Sequence, residues 1–136
     1  MKIHHIAYAV SSIENSKAHF ELLGFSEIKK TIEDINRKIK ICFLENREGG
    51  NNTVIELIES IDETSPISNL VKKMSGVATP YHICYEVDDI EDVVEEYKKL
   101  GFILTQNAAP AIAIDNRKVA FMFHKGVGIV EFVENK

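Results

Sequence analysis

The sequence lacks several features that mark specialised classes of protein. Acidic side chains outnumber basic ones by 21 to 16, so there is no surplus of positive charge for binding nucleic acid. No apolar run approaches the roughly 18 residues that a transmembrane helix requires. The sequence turns strand-like directly after Met1 and Lys2, so we expect no signal peptide and a cytoplasmic protein.

Cysteine is also scarce. The two cysteines, Cys42 and Cys84, each lie in an apolar strand-like segment, and neither has a second cysteine at the spacing of a metal-binding pair. We therefore expect two free, buried thiols rather than a disulfide. With 136 residues, 45% of them hydrophobic and 27% charged, the composition is that of one ordinary globular domain.

The sequence does contain an internal repeat. Residues 5–25, HIAYAVSSIENSKAHFELLGF, align without a gap with residues 82–102, HICYEVDDIEDVVEEYKKLGF, and nine of the 21 positions are identical. Such a repeat indicates a supersecondary unit that occurs twice. Each copy begins with alternating residues, which predicts a strand with isoleucine, tyrosine and valine on one face and histidine on the other.

A helix is predicted after the first strand of each copy. Ser12 and Asp89 are the expected N-caps, and Gly24 and Gly101 stand where a helix C-cap glycine belongs. Apolar residues recur between them at helical spacing. They are Ile13, Phe20 and Leu23 in the first copy and Ile90, Val94, Tyr97 and Leu100 in the second. We expect this stripe to pack on the apolar strand face, which leaves the histidine on the opposite face.

Three more strands are predicted in the rest of each copy. They are expected at residues 26–33, 38–45 and 53–59 and, in the second copy, at 103–107, 117–124 and 127–133. The turn NREGGNN precedes the last strand of the first copy. The loop at 107–117 is apolar, and it is interpreted either as a lid or as a packed connection. A short helix that starts near Pro66 is expected between the copies.

The last predicted strand of each copy carries a glutamate within an apolar run. Glu56 lies in VIELIE at 54–59 and Glu131 in IVEFVE at 129–134. Carboxylates are rarely buried unless they are paired or bind a metal, and alternation places both on the histidine side of the sheet. We therefore predict one ligand set, consisting of His5, Glu56, His82 and Glu131. Two nitrogen and two oxygen ligands suit one divalent cation such as Ni²⁺, Co²⁺, Zn²⁺ or Mn²⁺.

With this pattern the chain resembles the vicinal oxygen chelate superfamily, which includes glyoxalase I, methylmalonyl-CoA epimerase, extradiol dioxygenases and bleomycin resistance proteins. Residues 65–91 and 117–134 are most similar to the epimerase and its glyoxalase-like relatives. The resemblance implies an α+β fold of two tandem βαβββ modules that form a cupped mixed sheet around a metal. We place module 1 at about residues 1–60, a linker at about 61–80 and module 2 at about 81–136, all within a single domain of residues 1–136.

The resemblance also implies an enzyme, an isomerase or a lyase. Such an enzyme removes a proton next to a metal-chelated carbonyl through an enolate or enediolate. Because a ligand glutamate doubles as the base in glyoxalase I relatives, Glu131 and Glu56 are the catalytic candidates. A second base is expected from Glu33 or Glu45. If the substrate is a CoA thioester, its phosphates require cations, and the candidates are Arg117, Lys118 and Lys125.

Three functions are compatible with these residues. The first is an epimerase most like methylmalonyl-CoA epimerase, and the second is a glyoxalase I-type lyase that acts on a thiol hemithioacetal. Ala9 and Ser60 stand where some glyoxalase I enzymes hold glutathione with an arginine and a polar amide, which weakens a glutathione-dependent form of the second reading but leaves another thiol open. The third is a metal-containing small-molecule binding or resistance protein. We expect a carbonyl or thioester ligand and a homodimer, with no nucleic-acid or membrane partner.

Overall fold

The computed structural model describes residues 1–50 and 52–136 and has nine strands and three α-helices there. The strands are β1 (Lys2–Val10), β2 (Ser26–Glu27), β3 (Ile32–Asp34), β4 (Ile39–Asn46), β5 (Thr53–Ser60), β6 (Thr79–Val87), β7 (Ile103–Ala111), β8 (Arg117–His124) and β9 (Gly128–Glu134). The helices are α1 (Ile13–Leu22), α2 (Ser68–Lys73) and α3 (Ile90–Lys99). The predicted α+β class is therefore confirmed. Among these residues, no helix has the length and apolar character needed to span a membrane.

The chain divides into two compact units. The early unit comprises Ile6–Tyr81, and the late unit combines Met1–His5 with His82–Lys136. The late unit contains β6, α3, β7, β8 and β9, which is the predicted βαβββ order. The short helix predicted near Pro66 is present as α2, although it begins two residues later, at Ser68.

The early unit holds a mixed sheet in which β4 is the central antiparallel partner. Strand β1 pairs in parallel with β5, β5 pairs antiparallel with β4, and both β2 and β3 pair with β4. The strand predicted at 26–33 is thus divided into two. From Glu27 to Ile32 the chain takes five steps while its partner takes three, from Leu44 to Ile41, so two extra residues bulge out of the ladder.

The turn NREGGNN lies between β4 and β5 of the early unit. A 3₁₀ turn covers Glu48–Gly50 of this segment, and Asn51 lies outside the described residues.

The late unit holds a second mixed sheet. Strand β6 pairs in parallel with β9, β9 pairs antiparallel with β8, and β8 pairs antiparallel with β7. Strand β7 is longer than predicted and reaches Ala111 through two register irregularities. A 3₁₀ turn at Ile112–Ile114 then leads directly into β8. The segment 107–117 is therefore a paired strand and a tight connection, which fits the packed alternative rather than the lid.

Each unit has a core between its helix and one face of its sheet. In the early unit, Ile13 of α1 packs with Val10, Leu44, Ile55 and Leu57. In the late unit, the corresponding cluster consists of Val87, Ile90, Val94, Ala120, Met122, Val130 and Phe132. The apolar stripes were predicted to include Leu23 and Leu100, and this was wrong: these side chains are 67% and 61% exposed. Both residues lie just after the last helical turn, where the chain has turned away from the core.

The predicted caps are present at both ends of α1 and α3. The side chains of Ser12 and Asp89 accept hydrogen bonds from the backbone N–H groups of Asn15 and Asp92, at 3.2 and 2.9 Å. Gly24 and Gly101 both have a φ of +92°, a left-handed conformation that favours glycine at this position. The caps fix where each helix begins and ends, and therefore which of its side chains face the core.

Candidate metal centre

The position of Glu131 follows from the pairing of β6 with β9 in the late unit. Val130 and Phe132 belong to the core cluster around α3, so alternation turns Glu131 to the opposite face of the sheet. Cys84 is its partner residue across the parallel ladder, and His82 lies two residues earlier on the same face of β6. Both His82 and Glu131 are buried, at 5% and 4% exposure.

Three of the four predicted ligands meet within the late unit. The Nε2 atoms of His5 and His82 are 3.3 Å apart. The Oε2 atom of Glu131 lies 3.2 Å from His5 Nε2 and 2.9 Å from His82 Nε2. Two nitrogens and one oxygen thus point at a common position, which is the arrangement of a protein metal site with room for further ligands.

The Oε2 atom of Glu131 gives a test of whether these residues suit a metal. This atom is fully buried, and although two ring nitrogens lie within 3.2 Å, none of the residues that the structure describes gives it a hydrogen bond of acceptable geometry. A buried carboxylate oxygen in such a position is costly unless another group satisfies it. A divalent cation would do so, because it binds carboxylate oxygen and imidazole nitrogen together. The donor set therefore fits a metal.

The electrostatics of Glu131 favour the ligand form of its side chain. Burial raises the pKa of this carboxyl, but the adjacent His5 and His82 imidazoles outweigh burial and hold the pKa well below its ordinary value. An ionised carboxylate is the form that binds a cation. The ring of Phe121 meets the His82 imidazole edge-on at 5.2 Å between centroids and shields that side of the cluster.

Glu56, the fourth predicted ligand, lies in β5 of the early unit. Its neighbours Ile55 and Leu57 belong to the core cluster around α1, so Glu56 occupies the sheet face away from that helix, as expected. The side chain is 4% exposed. Its membership of the ligand set remains a prediction.

Two of the three predicted substrate-binding cations already have partners in the late unit. Arg117 donates from Nε to the backbone carbonyl of Glu134 at 2.8 Å. The ammonium group of Lys118 lies 2.8 Å from a carboxylate oxygen of Glu91 and 3.7 Å from one of Glu134. Lys125 lies in the turn between β8 and β9 and is exposed. Binding of substrate phosphates by these residues remains a prediction.

The two candidates for a second base lie in different surroundings of the early unit. Glu45 of β4 is partly buried and accepts a hydrogen bond from Arg47 Nε at 2.6 Å, whereas Glu33 of β3 is exposed. The role of either residue as a second base remains a prediction.

His4 is the residue near the cluster that sequence reasoning missed. Alternation along β1 would turn His4 to the face opposite His5, but the Nδ1 atoms of the two rings are 2.8 Å apart and the ring planes are at 79° to each other. Burial, and then the neighbouring His5 and Arg117, lower the pKa of His4 from 6.5 to about 4. The HH pair in the sequence was the only signal, because the direction of a side chain at a strand end does not follow from alternation.

Comparison with known proteins agrees with this fold. The sequence profile of the glyoxalase/bleomycin resistance protein/dioxygenase superfamily matches residues 4–121. The mitochondrial methylmalonyl-CoA epimerase of Dictyostelium discoideum is 26% identical over 141 aligned residues, which cover 99% of this chain and 78% of that protein. The ethylmalonyl-CoA/methylmalonyl-CoA epimerase of Cereibacter sphaeroides is 27% identical over 124 residues, covering 91% and 89%.

A solved structure of a hypothetical protein from Bacillus halodurans has a TM-score of 0.82 and 30% identity to this chain. The match covers 99% of this chain and 94% of that one. The profile match spans well over half of the sequence, and it includes the strands that carry His5 and His82. The chain therefore belongs to the glyoxalase/bleomycin resistance protein/dioxygenase superfamily.

Proposed function

We propose that the protein is a divalent-metal-dependent epimerase of an acyl-CoA thioester, most like methylmalonyl-CoA epimerase. The observation that carries the proposal is the convergence of three buried ligand atoms, from His5, His82 and Glu131. The relatives support the same reading, because one is named as a methylmalonyl-CoA epimerase and the other as an ethylmalonyl-CoA/methylmalonyl-CoA epimerase.

His5, His82 and Glu131 would hold the cation, and we propose Glu56 as the fourth ligand. A bound divalent cation supplies Lewis acidity, which stabilises negative charge on a carbonyl oxygen next to the reacting carbon. The burial of the three side chains in the late unit limits the access of water to this position. Charge stabilisation is stronger in such an environment than in bulk solvent.

The reaction requires one proton to leave a carbon and another to return. A carboxylate takes the proton from the carbon next to the thioester carbonyl, and the electron pair of the broken C–H bond delocalises into that carbonyl as an enolate. Return of a proton to the opposite face inverts the centre, so no atoms are gained or lost. We propose Glu131 or Glu56 as one base, and Glu33 or Glu45 as the other.

The thioester end of the substrate carries phosphates, which need cationic partners. We propose Arg117 and Lys118 of β8 for this role. The ammonium of Lys118 pairs with Glu91 at the protein surface, and such exposed pairs contribute little stability. A phosphate group can therefore replace Glu91 as its partner at small cost.

The test is exchange of substrate protons for deuterium in heavy water. The protein is first depleted of metal, and Co²⁺ or Ni²⁺ is then restored. We expect metal-dependent incorporation of deuterium at carbon 2 of methylmalonyl-CoA, followed by mass spectrometry, together with conversion of a single carbon-2 epimer into a mixture of both epimers. Absence of both, with protein that binds the metal, would exclude the epimerase. A protein that holds no divalent metal and is not stabilised by any would exclude the site itself.

The same preparation distinguishes the other two functions. Turnover of methylglyoxal plus a thiol, with no exchange in methylmalonyl-CoA, would identify a glyoxalase I-type lyase instead. Metal binding without proton exchange in either substrate would identify a binding protein, because binding alone does not break the C–H bond.

A further inference from the structure

The contact between His4 and His5 joins a half-buried imidazole to a fully buried one. Their Nδ1 atoms lie 2.8 Å apart, which is hydrogen-bond distance, and their ring centroids are 5.1 Å apart. His5 has no exposed surface. Its other ring nitrogen, Nε2, is the one that faces Glu131 and His82. One ring nitrogen of His5 thus faces Glu131 and His82, and the other faces His4.

Counting protons assigns the direction of this hydrogen bond. A neutral imidazole that binds a metal through Nε2 carries its single proton on Nδ1. Two Nδ1 atoms at 2.8 Å share one proton, since two protons would face each other and none would leave two lone pairs in contact. The donor is therefore His5, and the acceptor is the Nδ1 lone pair of His4.

We propose that His4 is a positioning residue that holds the His5 ring in the tautomer and orientation needed to bind a divalent cation through Nε2. The inference rests on the proposed metal site and concerns one ligand of that site. Hydrogen bonds from the second nitrogen of a ligand histidine commonly fix the ring and strengthen its binding. In the first copy the residue before the predicted ligand histidine is itself a histidine, whereas in the second copy Tyr81 precedes His82. The preceding residue therefore offers an imidazole acceptor to His5 but a different side chain to His82.

The position of His4 supports a role through His5 rather than direct binding. Its Nδ1 faces the Nδ1 of His5, on the side of that ring away from the Nε2 cluster. Cys84 also lies near these two rings, and its Sγ and one ring nitrogen of each histidine lie within 4.8 Å of one another. The competing explanation of the short contact is a second metal held by His4, His5 and Cys84. The experiment must distinguish this explanation from the positioning role of His4.

The experiment is a titration of the metal-free, full-length chain with Co²⁺, followed by visible absorption and by calorimetry. His4→Phe keeps a planar ring but removes the acceptor, and we expect Co²⁺ affinity to fall by about 10- to 100-fold, with an altered absorption spectrum. His4→Asn places an oxygen near the position of Nδ1, so it should recover part of the affinity and the original spectrum.

The matched control is His19→Gln. The ring of His19 also makes a hydrogen bond through Nδ1, to the carbonyl of Asn15 at 2.8 Å, but it is exposed on α1. This variant should bind Co²⁺ as the parent does. Thermal unfolding of each metal-free variant shows whether the chain is folded before the titration begins.

The outcomes separate this inference from the proposed function. If the parent chain binds no Co²⁺, both are overturned. If the parent binds and His4→Phe binds equally tightly with the same spectrum, the metal site stands and the role of His4 is wrong. If the parent binds two equivalents and His4→Phe loses one of them, His4 is itself a ligand and the positioning role is also wrong.

Discussion

Helices α1 and α3 begin and end with the same contacts, one in each copy of the repeat. Glu59 accepts a hydrogen bond from the N–H of Ile13 at 2.8 Å, and Glu134 accepts one from Ile90 at 3.0 Å. At the other end, the N–H of Phe25 bonds to the carbonyl of Phe20 at 3.2 Å. In the second copy the same bond joins Phe102 to Tyr97, at 3.0 Å. The rings within each of these pairs also pack edge to face.

The copies differ in the strands that do not carry the predicted ligands. In the early unit, the strand after the helix consists of β2, with two residues, and β3, with three. In the late unit the corresponding strand is β7, with nine residues. The two copies share the helix and the contacts at its ends. Because each helix packs on the apolar face of the strands that carry the histidine and the glutamate, these shared elements set the direction of those strands. The repeat therefore preserves the elements that support the predicted ligands, whereas the outer strands differ between the copies.

The largest effect is expected when a predicted metal ligand is substituted, rather than a residue that supports the ligand strands. Glu131→Gln removes a charge from the cluster and a candidate base, so we expect epimerase kcat/KM to fall by at least about a hundredfold, with weaker Co²⁺ binding. The matched control on the same strand is Glu134→Gln, three residues on, which belongs to the helix cap. It should leave kcat/KM unchanged.

The same substitution at Glu56 tests the corresponding glutamate of the other copy. If both copies contribute a ligand, Glu56→Gln should weaken Co²⁺ binding and activity to a degree similar to Glu131→Gln. Full activity and full metal content in Glu131→Gln would contradict the proposed mechanism. Full metal content in Glu56→Gln alone would restrict the ligand set to the late unit.

A smaller effect, on stability, is expected from the glycines that end α1 and α3. Gly24→Ala and Gly101→Ala each force a side chain into a φ of +92°, at a cost of about 1–2 kcal/mol. The early-unit change should cost more, because the new Cβ would lie 3.2 Å from Asn46 Nδ2, which bonds to the carbonyl of Leu23. At Gly101 the nearest atom is His124 Cδ2, at an ordinary 3.8 Å.

Urea unfolding of the two glycine variants measures these costs. Equal stability of both variants and the parent would show that the glycines are not needed for their conformation. A larger loss in Gly101→Ala than in Gly24→Ala would contradict the role of Asn46.

Much of this architecture follows from the sequence because the repeat and the caps are local patterns. The N-caps Ser12 and Asp89, the C-terminal glycines and the face that carries Glu131 could all be predicted from spacing and alternation. These features depend on residues a few positions apart, so neighbouring residues determine them.

The features that escaped prediction depend on partners that are distant in sequence. The bulge that divides β2 from β3 is a property of the pairing with β4, and no residue in that segment marks it. Strand β7 continues through Pro110, where the sequence favours a loop, because β8 supplies its hydrogen bonds up to Ala111. The contact between His4 and His5 is the exception: the two residues are adjacent, but the direction of a side chain near a strand end does not follow from alternation.

A still smaller effect on stability is expected from the carboxylates that cap the helices. Glu59→Ala and Glu134→Ala each leave the N–H of the first helical residue without its partner, at a cost of about 1 kcal/mol. The two costs should be similar, because the environments match: Lys40 lies 3.7 Å from Glu59, and Lys118 lies 3.7 Å from Glu134. Urea unfolding measures both, with Glu96→Ala on the exposed side of α3 as the control.

The smallest effect is expected at Lys118, where the copies place corresponding lysines in different roles. Lys40 and Lys118 each pair with a capping glutamate, but we propose that only Lys118 also binds substrate phosphates. Lys118→Gln should leave stability unchanged, since exposed ion pairs contribute little, and raise KM for methylmalonyl-CoA several-fold without changing kcat. Lys40→Gln should change neither. A Lys118→Gln variant with the parental KM would remove Lys118 from the binding site and leave it with the same supporting role as Lys40.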